Sequence, residues 1–128
     1  MLIIGLAFAL VGALVHVYIF VLESVLWTSP RARAVFGTTE EQARATRELA
    51  FNQGFYNLFL AVAVVLGAVL IGAGLTSAGA ALVYAGAGSM VLAGTVLAVS
   101  SPRKLRPALI QLGPPLAGVA LLTLGLAW

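Results

Sequence analysis

The sequence predicts an all-α integral membrane protein: four transmembrane helices in a bundle, with both termini outside and the first and third loops cytoplasmic. Three observations predict it. Hydrophobic residues make up 62% of the 128 residues and charged residues only 9%, against about 25% charged in soluble domains, and the mean hydropathy is +1.10. Four apolar runs each reach the roughly 20 residues that a helix needs to cross a hydrocarbon core about 30 Å thick. All seven basic side chains flank the first or the third connection between those runs.

The runs cover about 2–27, 49–71, 76–99 and 107–128, and they make one four-helix transmembrane domain over 1–128. The first run lacks a basic leader region and is too long for a signal-peptide core, so it is expected to stay as a permanent span. Arg31, Arg33, Arg44 and Arg47 belong to the first connection, and Arg103, Lys104 and Arg106 to the third. The second connection, around Gly74, carries no charge. The positive-inside rule then puts connections one and three in the cytoplasm. A net charge of +3 without a basic face interleaved with aromatics gives no reason to expect a nucleic-acid partner. The absence of cysteine excludes a disulfide and a thiolate metal site.

The first connection, 28–48, is expected to hold a short helix. Ser29 before Pro30 reads as an N-cap with proline at the first helical position, and Gly37 ends the PRARAVF segment. Thr38 with Glu41, or Thr39 with Gln42, fits a capping box for a following helix. Glu40 with Arg44 and Arg44 with Glu48 stand four apart, the spacing of helical ion pairs. TSPRAR at 28–33 echoes SSPRKLR at 100–106, a pattern that a helix stop followed by cytoplasmic charge also produces without duplication.

Polar residues within the spans define the candidate site. His16 and Glu23 are seven apart, so a regular helix places them within about 20° of each other, on the face that also holds Gly5, Ala9, Gly12 and Trp27. That face is expected to point into the bundle. The second span carries FNQGFYNLF, with Asn52 and Tyr56 on one line and Gln53 and Asn57 on another about 100° away. Counting a rise of 1.5 Å per residue from Trp27 and Glu48 sets Glu23 level with Asn52, about 6 Å deep, and His16 level with Asn57. Gln111 reaches a similar depth in the fourth span, so Glu23, Asn52, Gln53 and Gln111 are expected to form a polar ring. Pro114 and Pro115 remove two amide donors, and the fourth span is expected to be kinked or broken there.

HVYIFVLESVLW, FNQGFYNLFLA and the terminal glycine-proline span resemble, in that order, a bacterial family of small four-span membrane proteins, the domain of unknown function 1304. The resemblance covers nearly the whole chain, and NQGFYN following an intramembrane glutamate is its most specific element. It implies a four-span architecture in a bacterial inner membrane and carries no activity with it.

Three functions fit these residues. In the first, a pocket near the cytoplasmic face binds or acts on a lipid or small amphipathic molecule. Glu23 and His16 are then its candidate acid–base residues, and Asn52, Gln53, Tyr56, Asn57, Gln111 and Trp27 its candidate ligand-binding residues. In the second, Glu23 is the shared proton and substrate site of a proton-coupled small-molecule exporter. In the third, the polar residues only fix how the helices pair. No metal or other cofactor is called for, since His16 and Glu23 are about 10 Å apart along a helix and the other polar groups are mostly amides. Membrane lipids are the expected surroundings. A small-residue line at Ala81, Ala85, Ser89 and Ala93 makes a homodimer a further expectation.

Overall fold

A computed structural model describes residues 1–127; Trp128, the last residue of the fourth predicted span, lies outside the described residues. Among the described residues there are six α-helices and no strand. They are α1 (Leu2–Phe20), α2 (Pro30–Phe36), α3 (Glu40–Ala45), α4 (Arg47–Gly72), α5 (Thr76–Ser100) and α6 (Leu105–Ala127). A π-helical turn, Val21–Val25, prolongs α1, and a 3-10 turn, Pro102–Lys104, precedes α6. Four helical segments, Leu2–Val25, Arg47–Gly72, Thr76–Ser100 and Pro102–Ala127, are long and apolar enough to cross a membrane.

The long helices stand in a ring in which α1 packs on α4 and α6, and α5 packs on the same two from across the diagonal. Small residues set their spacing. The central cluster is Ala9, Ala13, Ala61, Val64, Val83, Ala87, Met90 and Leu122, all of them buried. Between α1 and α6 the backbones almost touch: a Cβ on Gly118 would lie 2.6 Å from the Ala9 amide nitrogen, and one on Gly5 would lie 2.5 Å from that of Leu122. Gly67 and Gly79 play the same part between α4 and α5, where a Cβ on either would come within 2.6 Å of the other's carbonyl oxygen. In lipid, where apolar side chains gain little by leaving one another's company for hydrocarbon, such close van der Waals approach is the main driving force for pairing helices. Ala81, Ala85 and Ser89 of the small-residue line are exposed, and Ala93, at its end, is exposed where it borders a cavity.

The fourth span is not broken. α6 runs without interruption from Leu105 to Ala127 with Pro114 and Pro115 inside it. Only two donors are missing, and the turns on either side carry the helix across them. Pro115 is buried, and its ring sits where a Cβ on Gly12 would be, 2.6 Å from its Cγ. The diproline thus serves as a packing surface for α1, a use that donor counting along the sequence cannot reveal.

The first connection has the caps the sequence predicts, with one difference. Ser29 Oγ accepts from the Ala32 amide, and Gly37 closes α2 in the left-handed conformation, at φ 67°. Thr39 and Gln42 form the reciprocal capping box. Arg44 pairs with Glu40, but the predicted Arg44–Glu48 partnership does not form. The helix stops at Thr46, whose φ of −104° and ψ of 6° separate α3 from α4, so the two side chains no longer share a helical face.

Candidate functional site

The site begins with the π turn. From Val21 to Val25 the helix takes the wider i→i+5 bonding, with the Leu26 amide donating to the Val21 carbonyl at 2.9 Å. The extra residue in that turn shifts the helical phase, so the regular-helix line through His16 and Glu23 does not hold. His16 is wholly buried on the α1 line of Gly5, Ala9 and Gly12, with Nδ1 bonded to the Gly12 carbonyl at 2.9 Å. A carbonyl only accepts, so Nδ1 carries the proton, and Nε2 is left buried without a partner among the described residues. Glu23 is half-buried and turned elsewhere.

Gly54 holds Glu23 in place. The π turn lies so tightly on α4 that a Cβ on Gly54 would overlap Ser24 Oγ and lie 3.1 Å from the Glu23 Cβ. Ser24 Oγ donates to the Phe51 carbonyl at 2.7 Å, fastening the turn one helical turn from Gly54. Across this contact Asn57 Nδ2 donates to Glu23 Oε2 at 2.8 Å and also reaches the Gln53 carbonyl at 3.3 Å. Glu23 therefore meets Asn57 and not Asn52, more than a turn from the level given by counting depth from Trp27 and Glu48. The register is set by where a glycine lets two backbones meet, and interface residues do not record that.

Glu23 faces a cavity of about 470 Å³ between the four long helices, at the end that carries the first and third connections. Val15, Tyr18 and Ile19 line it from α1, Leu22 from the π turn, Gln53 and Asn57 from α4, Ala93 and Leu97 from α5, and Pro107, Ile110 and Gln111 from α6. Val35 and Phe36 of α2 and Lys104 complete the wall. Of the residues singled out by sequence, Glu23, Gln53, Asn57 and Gln111 converge here. His16 does not line the cavity. Asn52 and Tyr56 are exposed on another face of α4. Trp27 stands behind the wall: its ring lies 5.0 Å from that of Phe36, and its Nε1 donates to Thr46 Oγ1 at 3.1 Å.

The part played by α2 on the cavity was not read from the sequence. Its apolar residues Ala32, Val35 and Phe36 recur at a spacing of three to four, one amphipathic stripe, and that stripe turns onto the bundle. Arg31 secures it from the side, its Nε donating to the Tyr18 hydroxyl at 2.9 Å and its guanidinium carbon 5.5 Å from the Tyr18 ring centre. The loop arginines of the first connection are thus more than a charge bias, since one of them ties the connection to a cavity-lining residue. What the arrangement can do chemically is hold a molecule that is mostly apolar yet offers one polar group to Glu23, Gln53, Asn57 and Gln111.

No curated protein and no solved structure matches the chain. The model of one family covers residues 10–123, and the chain belongs to that family, described as Protein of unknown function (DUF1304).

Proposed function

We propose that the chain crosses a membrane four times with its first and third connections in the cytoplasm, and that the cavity binds one lipid or small amphipathic molecule. The observation that carries the proposal is the lining: all four long helices contribute to one space in which apolar walls surround the Glu23–Asn57 pair, Gln53 and Gln111. A ligand site of this kind, mostly apolar with a few convergent polar groups, falls in the volume range of about 300–1,000 Å³ typical of small-molecule pockets. Binding is better supported than acid–base catalysis. His16 lies off the lining, so the imidazole expected to serve as the acid–base partner of Glu23 is not beside it there.

Photo-cross-linking tests the pocket. A long-chain alcohol with a diazirine in its tail is expected to label Ile19, Leu97 and Ile110, and Ala93→Phe, which fills the space, is expected to abolish that labelling while the protein stays folded. Labelling confined to the outward faces, for example Leu66 and Leu92, and indifferent to Ala93→Phe would overturn the proposal.

The topology has its own test. With every basic residue beside connections one and three, a reporter fused after Trp128 is expected to be active outside the cytoplasm. A tag inserted at Gly37 is expected to resist protease added to intact cells. Cleavage of that tag from outside would reverse the orientation.

A further inference from the structure

Resting on the cavity reading given above, we propose that the ligand is a lipophilic cation, an amine with an apolar body, whose ammonium group is held by Glu23. Glu23 is the one acidic side chain on the cavity lining. Its Oε2 accepts from Asn57, and among the described residues no other side chain bonds its carboxylate. Arg44–Glu40, in the first connection, is the one ion pair among the described residues, so no cation of the protein is paired with Glu23, although Lys104 stands on the same lining. An ionised carboxylate inside an apolar span costs free energy unless something pairs with it. Here the fold builds the carboxylate into a ligand-sized space and leaves its partner to be supplied.

The rest of the lining fits the same chemistry. An ammonium group brings donors for Oε1 and for the side-chain oxygens of Gln53 and Gln111. Ile19, Leu22, Leu97 and Ile110 offer an apolar wall for the body, and Phe36 presents a ring near which a cation is favoured. Lys104 is the one basic lining residue and is exposed to solvent, so its charge is screened more than that of the half-buried Glu23. An anionic head group in the cavity would set like charges against each other, and a hydroxyl would leave the carboxylate charge uncompensated.

The test compares three amphiphiles with the same chain: dodecylammonium, dodecanol and dodecanoate. Each is added at equal mole fraction to the purified full-length protein in neutral maltoside micelles, and Tm shifts and bound adducts in native mass spectra are recorded. Dodecylammonium is expected to give the largest rise in Tm and a one-to-one adduct. Glu23→Gln is expected to weaken its binding by about tenfold or more, and Glu23→Asp, which keeps the charge, is expected to keep the preference for the amine. If Glu23→Gln does not fold, the order of the three amphiphiles on the wild type and on Glu23→Asp decides the matter. An equal or stronger response to dodecanoate or dodecanol, or a Glu23→Gln variant that still prefers the amine, overturns the cation assignment while leaving the pocket standing. No adduct with any of the three, together with indifference to Ala93→Phe, overturns pocket and cation together.

Discussion

Gly118→Ala is expected to destabilise the protein by about 1–3 kcal/mol, the usual cost of overpacking, although it adds a single methyl group and replaces glycine by a better helix former. The new Cβ would lie 2.6 Å from the Ala9 amide nitrogen and 2.9 Å from the Ala9 Cα. Both are backbone atoms of α1, so no side chain can rotate away, and relief requires α1 and α6 to separate. Separation would in turn loosen Gly5 from Leu122 and Gly12 from Pro115, which belong to the same seam. Gly113→Ala is the matched control on the same helix, because a Cβ there meets nothing within 4 Å. It is expected to be neutral, or to stabilise by up to about 1 kcal/mol through helix propensity. Unfolding by titration with SDS, followed by circular dichroism, measures both variants. Equal stabilities for the two would mean that the α1–α6 seam is not the contact that holds the bundle.

The four apolar helices were legible because hydrocarbon imposes a length and a composition that no other constraint blurs. The cap at Ser29 was legible, and the second cap was narrowed to Thr38 or Thr39, because capping is local, fixed by residues three apart. At the site, Glu23, Gln53, Asn57 and Gln111 stood out as polar residues in apolar runs, and the structure gathers them around one cavity. How they pair was not legible. A regular period carried His16 and Glu23 to a common face, while Glu23 lies inside a five-residue π segment that turns it off that face, and no sequence rule announces a π turn. The diproline was read as a kink or a break by counting donors, but the helix is not broken there, and Pro115 packs on a glycine more than a hundred positions earlier. Val35 and Phe36 were missed as cavity residues because a seven-residue helix in a charged connection reads as a solvated linker until the bundle it folds onto is known.

Gly54→Ala tests whether the π turn is what positions the site. The added Cβ would overlap Ser24 Oγ and lie 3.0 Å from the Ser24 amide nitrogen, so the turn has to back away from α4. That movement carries Glu23 with it, because Glu23 and Ser24 are adjacent in the displaced turn. The 2.8 Å bond from Asn57 is expected to lengthen or break, and binding of dodecylammonium to fall toward the level of Glu23→Gln, although every polar lining residue is still present. Bulk stability should fall less than in Gly118→Ala, since the central cluster of Ala9, Ala61, Val83 and Leu122 contains no part of the turn. A purely structural role for Gly54 would instead lower stability and binding in parallel. Ser24→Gly separates the two cases: it removes the hydroxyl that the new methyl overlaps, and it also removes the bond to the Phe51 carbonyl. In the double variant, binding is expected to recover in part, with a coupling between the two positions of about 0.5–3 kcal/mol. The infrared band of the Glu23 carboxyl group, identified by its absence in Glu23→Gln, should shift in Gly54→Ala and move back in the double variant. An unshifted band in Gly54→Ala would mean that Glu23 keeps its place without the tight turn, and that the glycine serves helix packing alone.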